Sequence, residues 1–175
     1  MSFEQVGEEQ IWKGHIGTVK IKQFRHDDGE LAEREVVEHP GAVVMLPWDG
    51  ERIWLVRQPR EAAGEQSLLE LPAGKLNGGE ALETAQRELR EEIGKAATGW
   101  KFLTSFYASP GFTDEEIHAY LATDLTDDPL EAEEEERIEI VPEPLERLDD
   151  LIRECRDSKS LVTLLWFRAF ELANL

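Results

Sequence analysis

The chain of 175 residues holds one cysteine, Cys155, and so can form neither an internal disulfide nor a cysteine-based zinc site. Thirteen glycines and eight prolines are too few for a low-complexity or collagen-like chain. No run approaches the roughly 20 apolar residues of a membrane span. Met1-Ser2-Phe3-Glu4-Gln5 lacks the basic region and apolar run of a signal peptide. Positive charge is scarce too: 19 Lys+Arg stand against 38 Asp+Glu, a net charge of −19. Such a surface repels nucleic-acid phosphates and anionic lipid heads, so neither nucleic acid nor a membrane is expected as a partner. A soluble, cytoplasmic, unstapled protein is expected, with a length that suits one domain, or one domain with a small appendage. The acidity either serves solubility alone or leaves room for a small phosphate compound bridged to carboxylates by a divalent cation.

What is present reads as interleaved strands and helices, which excludes an all-β or all-α fold. Residues 9–25 alternate irregularly and read as one or two short strands, followed by a hairpin turn at Asp27-Asp28-Gly29 and a returning strand from Leu31 to Val37. Residues 41–47 form a nearly continuous apolar run, as in a strand buried on both faces. Asp49-Gly50 turns the chain into a second buried strand, Arg52 to Gln58. Ala81 to Ile93 carries an apolar stripe at Leu82, Ala85, Leu89 and Ile93, with Gly94 where a left-handed C-cap falls. Trp100 to Tyr107, Glu116 to Leu121 and Ile138 to Val141 read as further strands. Residues 143–155 and 158–173 read as helices, the second turning Leu161, Leu164, Leu165, Arg168 and Leu172 to one face. Residues 1–38 are expected as an N-terminal β segment and 39–175 as the main domain.

The helix at 81–93 contains Arg87-Glu88-Leu89-Arg90-Glu91-Glu92. Glu88 and Glu92 are four apart and project from one face, with Glu91 at its edge. Three carboxylates this close repel one another, so they stand either on a solvated acidic face or around a cation. Oxygen donors of this kind suit Mg²⁺ or Mn²⁺. Just before the helix runs Leu69-Glu70-Leu71-Pro72-Ala73-Gly74-Lys75-Leu76-Asn77-Gly78-Gly79-Glu80. Together these segments resemble the Nudix hydrolase family, whose signature is Gly, five residues, Glu, seven residues, then Arg-Glu-apolar-any-Glu-Glu-any-Gly. Gly74 to Glu80 and Arg87 to Gly94 fit that pattern, but the spacer Ala81 to Gln86 holds six residues where the signature has seven. The loop-to-helix junction is expected to absorb the difference, because a deletion inside the helix would rotate the carboxylates by roughly 100°.

The likeness extends over residues 34–170. Arg34 to Val43, Leu55 to Arg60, Leu69 to Gly74 and the loop Ser109-Pro110-Gly111-Phe112-Thr113-Asp114-Glu115 are similar to the ADP-ribose pyrophosphatase branch. The resemblance implies a Nudix α/β/α sandwich with a mixed sheet, an α/β (α+β) fold carrying the small N-terminal β appendage. The implied activity is metal-dependent hydrolysis of the diphosphate bond of ADP-ribose, giving AMP and ribose 5-phosphate. Glu88, Glu91 and Glu92 and the backbone carbonyl of Ala73 are then the ligands of Mg²⁺ (or Mn²⁺), and Arg87 and Glu80 support them. The acidic run Glu131 to Glu136 would deliver the base that activates water, Glu134 with Glu136 as the alternative, unless the run is a solvated loop. Arg34, Arg60, Gly111 and Glu115 are the substrate-binding candidates, and Arg57 is a weaker one. Trp12, Phe24 or Trp48 could offer an adenine slot. The branch also implies a homodimer built through the N-terminal segment. Two alternatives stand beside this reading: hydrolysis of another nucleoside diphosphate derivative (a nucleotide sugar or dinucleotide), and a nucleotide-binding module without catalysis.

Overall fold

A computed structural model describes residues 2–131 and 137–174. The chain divides into two compact units, one of Met1–Gly41 with Phe106–Glu116, the other of Ala42–Ser105 with Ile117–Leu175.

The smaller unit is built on an antiparallel sheet of β1 (Phe3–Lys13), β2 (Thr18–His26) and β3 (Leu31–Glu38), in that order. The first strand begins earlier than the sequence pattern suggests, because Gly7 and irregular pairings at Gln5/Gly7 and Gln10/Trp12 break its alternation without ending it. The Asp27-Asp28-Gly29 turn forms as expected. Gly29 takes φ 86°, which suits glycine, and the Asp28 carboxylate accepts from the Glu30 N–H at 3.0 Å. The 106–116 segment joins this sheet at β3: the Val37 N–H donates to the Phe112 carbonyl at 2.8 Å, and Thr113 Oγ1 donates to the Val37 carbonyl at 2.8 Å.

The larger unit holds two sheets. One is mixed, in the order β7 (Ala73–Lys75), β4 (Ala42–Pro47), β9 (Glu116–Asp127), β8 (Lys95–Tyr107), with β4 parallel to β9 and antiparallel to β7. The other is antiparallel, in the order β10 (Glu139–Pro144), β5 (Arg52–Arg60), β6 (Glu65–Glu70). Every residue of β4 is buried. Val43 and Met45 pack with Ala85, Leu89 and Ile93 of α1 (Ala81–Ile93). Strand alternation turns Val44 and Leu46 to the opposite face, and α3 (Ser158–Trp166) also packs on this strand. The fully apolar run at 42–47 is thus the strand covered on both sides.

The helix at Ala81–Ile93 has the expected bounds, and Gly94 closes it in the left-handed conformation at φ 68°, its N–H reaching the Leu89 carbonyl. The C-terminal region departs from expectation. Residues 139–144 continue as strand β10, and the next helix, α2, covers only Leu148–Glu154. Among the described residues β10 pairs with β5 alone, so Pro142 and Pro144 sit on an edge where a missing N–H is tolerated. The inward face of the last helical segment is Ser160, Thr163, Leu164, Phe167 and Glu171, whereas Leu165 is exposed. Two features displace the simple apolar stripe. A π-helical stretch at Phe167–Glu171 shifts the phase after Trp166, and Ser160, Thr163 and Glu171 bury polar groups that have partners. Strand β7 forms within the glycine-rich stretch that leads into α1.

Candidate active site

The signature helix turns two acids inward with its apolar stripe. Glu88 and Glu92 are only 9% and 6% exposed, beside Ala85, Leu89 and Ile93. Carboxylates are rarely buried so far without partners. Glu92 Oε2 accepts the Ala73 N–H at 3.0 Å, which ties the first residue of β7 to the last turn of α1. The next residue, Gly74, lies so close to Glu88 that an added Cβ would stand 2.1 Å from its Cδ. Only a glycine lets β7 run this near the carboxylate. The Arg87 guanidinium forks between Glu88 Oε1 and Glu91 Oε2, so it lies among these acids and offsets their mutual repulsion.

Glu88, Glu91, Glu92 and the backbone at Ala73 are therefore gathered at one junction of helix and strand. Glu80 is the residue before the first turn, and its carbonyl accepts the Thr84 N–H. Because α1 is unbroken from Ala81 to Ile93, the shortened signature spacer leaves the mutual geometry of Glu88, Glu91 and Glu92 intact. Glu80 is also one of the groups, after burial itself, that push the Tyr120 hydroxyl above its ordinary value. Among the described residues, no group of three or more His, Cys, Asp or Glu is placed so that it could hold a metal ion as it stands. The carboxylates at the junction are nevertheless oxygen donors, two of them buried on one helix face, and oxygen is the donor type that a hard divalent cation takes. Glu134 and Glu136 lie outside the described residues.

In the smaller unit, a cavity of about 610 Å³ is lined by Arg34, Gly111 and Phe24, with Phe3, Tyr107 and Phe112 beside them. That size suits a small organic ligand, and aromatic walls with one guanidinium suit a base or ribose next to phosphate. Two of the substrate-binding candidates and one of the three aromatic candidates thus share a pocket. Phe3 meets Phe24 edge-on at 5.4 Å. Glu115, at the end of the same loop, does not line the cavity; its carboxylate is 3.7 Å from His39 Nδ1. Trp12 is exposed, and Trp48 lies against the buried Phe167, 6.4 Å between centroids.

Arg60 has a partner that the sequence pattern does not reveal. Its guanidinium grips the Glu70 carboxylate through two bonds of 2.6 and 2.8 Å, and Lys159 Nζ reaches the same carboxylate at 2.6 Å. The Glu70 side chain is 1% exposed. Burial alone would push its carboxyl up, but the bond from Arg60 and the charge of Lys159 outweigh it and hold the group below its ordinary value. Lys159 stands in the first turn of α3, the helix expected from residue 158, where Asp157 accepts the Ser160 N–H at 3.0 Å.

A family model for the NUDIX domain matches residues 37–164, and the chain belongs to that family. It is 37% identical over 172 residues to an ADP-ribose pyrophosphatase of Bacillus subtilis (strain 168), covering 95% of this chain and 92% of that one. It is 36% identical over 169 residues to a methanol dehydrogenase activator of Bacillus methanolicus, covering 93% and 91%. A third relative, an ADP-ribose pyrophosphatase of Mycobacterium tuberculosis, is 43% identical over 126 residues, 70% of this chain and 60% of that one. The crystal structure of an ADP compounds hydrolase superposes with a TM-score of 0.84 over 96% of this chain and 93% of its own, at 23% identity, which bears out the α+β fold with its mixed sheet. Among the described residues no helix is long and apolar enough to cross a membrane.

Proposed function

We propose that the protein is a Nudix pyrophosphohydrolase that cleaves the diphosphate bond of ADP-ribose, releasing AMP and ribose 5-phosphate, with Mg²⁺ or Mn²⁺ as cofactor. The observation that carries this reading is the junction of α1 and β7: two buried signature glutamates meet the backbone of Ala73 and Gly74, in a chain that matches an ADP-ribose pyrophosphatase over nearly its full length. In this reading Glu88, Glu91, Glu92 and the Ala73 carbonyl hold the cation, which when bound neutralises the two phosphates and lowers the pKa of a water. Arg87 keeps Glu88 and Glu91 oriented, and Glu80 starts the helix that presents them. Glu134, or Glu136 in its place, takes the proton from the attacking water. Arg34 serves the phosphates or terminal ribose of the substrate, Gly111 is a further substrate-binding residue, and Phe24, which lines the same cavity, is the stacking surface. Glu115 accepts from ribose hydroxyls. Arg60 serves the phosphates through the part of its guanidinium that Glu70 does not engage.

The N-terminal β segment, 1–38, is assigned to homodimer formation. Ile11, Trp12 and Ile16 are exposed on it, an apolar surface that a second copy would cover. The assignment includes a cytoplasmic location, to which a chain with a single cysteine is suited. The relative named as an activator of methanol dehydrogenase favours a second reading, in which the protein acts as a regulator.

The decisive experiment is product analysis with ADP-ribose in the presence of Mg²⁺, repeated with Mn²⁺ and with EDTA, beside a panel of nucleotide sugars and dinucleotides. AMP and ribose 5-phosphate, abolished by EDTA, are expected. No turnover of ADP-ribose with either metal would overturn the reading, and the panel then separates another diphosphate substrate from a module without catalysis.

A further inference from the structure

Three consecutive residues leading into β7 are held from three directions. The Leu71 N–H donates to Ser160 Oγ at 2.7 Å, the Pro72 carbonyl accepts the Met45 N–H at 2.9 Å, and the Ala73 N–H donates to Glu92 Oε2 at 3.0 Å. The last two partners belong to β4 and α1, which adjoin the site. The first belongs to α3, 89 residues away along the chain. Leu71 and Ser160 are both fully buried, so no solvent water replaces this bond if it is lost.

The Ser160 hydroxyl is itself oriented. It donates its single proton to Asp157 Oδ2 at 2.6 Å, which leaves its lone pairs for the Leu71 N–H. Asp157 accepts Lys159 Nζ through its other oxygen at 2.9 Å, and the same ammonium reaches Glu70, the residue before Leu71. A connected polar chain thus runs from Arg60 on β5 through Glu70, Lys159 and Asp157 to Ser160, and ends on the backbone two residues ahead of Ala73. Each member has its partners, so the chain is rigid.

We propose that Ser160, oriented by Asp157, is a positioning residue for the metal-binding loop: by fixing the backbone at Leu71 it places the Ala73 carbonyl and the Glu92 carboxylate for the cation. The inference rests on the assignment of Ala73, Glu88, Glu91 and Glu92 as ligands. Groups that orient ligands in this way change metal affinity by about 10–100-fold when removed.

The test is Mn²⁺ titration of the metal-free protein, read by the electron paramagnetic resonance signal of free Mn²⁺, with thermal melts on the same samples. Ser160→Ala is expected to raise the Mn²⁺ dissociation constant about tenfold. Thr163→Ala is the control. It removes another hydroxyl bond from the same helix, Thr163 Oγ1 to the Lys159 carbonyl at 2.8 Å, and is expected to lower the melting temperature without changing Mn²⁺ affinity. In steady state the Mn²⁺ concentration for half-maximal rate should rise in Ser160→Ala, while KM for ADP-ribose at saturating metal stays within twofold or so of the parent value. If the alanine variant does not fold, Asp157→Asn, which keeps a capping oxygen but weakens the acceptor of the Ser160 hydroxyl, is expected to shift Mn²⁺ affinity in the same direction. Unchanged Mn²⁺ affinity in the folded variant, or an equal loss in Thr163→Ala, would overturn the proposal. A parent protein that binds no Mn²⁺ would instead overturn the ligand assignment on which the proposal rests.

Discussion

Replacing Gly74 by alanine probes the approach of β7 to α1 with a single methyl group. Gly74 does not need a positive φ, so the effect is one of space alone. The added Cβ would lie 2.1 Å from Glu88 Cδ, 2.2 Å from Cγ and 2.3 Å from Oε1. Carbon atoms in ordinary contact are about 3.5 Å apart, so Glu88 or the strand must yield by roughly 1.4 Å. Glu88 is 9% exposed and paired with Arg87, which leaves its carboxylate little room. Overpacking of this sort costs about 1–3 kcal/mol, and for a chain of this size each kcal/mol lowers Tm by about 2–4 °C. The effect on chemistry should be larger, since a displacement of ~1 Å at a reacting centre costs about 100-fold. The assay is kcat/KM for ADP-ribose with Mg²⁺, paired with a thermal melt. Gly79→Ala is the internal control, because its Cβ meets only Thr84 Oγ1 at 3.7 Å, an ordinary contact, and its rate should match the parent. A Gly74→Ala enzyme that keeps its rate within about threefold of the parent would refute the reasoning, because Glu88 would then not need its position.

Three further outcomes are expected. Glu92→Gln keeps an amide oxygen to accept the Ala73 N–H but loses the charge, so turnover should fall by about two orders of magnitude or more while the melt stays cooperative; an unchanged rate would remove Glu92 from the metal assignment. Glu134→Gln should cut turnover and leave Mn²⁺ affinity nearly unchanged; if Glu136→Gln is the damaging substitution instead, the base lies two residues further on. The carboxyl of Glu70 is held below its ordinary 4.5 in the folded chain, so its stabilisation is complete above that value and is lost as pH falls through the lower, folded value. Glu70→Gln should cost about 2–4 kcal/mol at neutral pH, less than a fully enclosed pair because Arg60 is 40% exposed, and should flatten the acid limb of Tm against pH; an acid limb identical to that of the parent would exclude Glu70 as its source.

Sequence alone made the signature helix legible, because its periodicity, its C-cap glycine and its clustered acids are all local. The apolar run at 41–47 disclosed a buried strand for the same reason, because covering a strand on both faces demands continuous hydrophobicity, whereas in the strand read at 52–58 only Ile53, Leu55 and Val56 are buried. The Asp27-Asp28-Gly29 turn was readable from the conformations that those residues favour. What neighbours along the chain do not determine was decided by tertiary structure. The inward face of α3 carries Ser160 and Thr163 because their hydroxyls find partners inside the fold, and an apolar-stripe rule counts them as outward. Glu70 is committed to both Arg60 and Lys159 through pairings that join β6 to β5 and α3, and no spacing announces that. Among the aromatic candidates, Phe24 lines a pocket together with Arg34 and Gly111. The kinds of chemistry available were written in residue types and spacings. Which side chains meet, and which are already engaged, followed from long-range packing, where a buried polar group must find its partner wherever the fold places one.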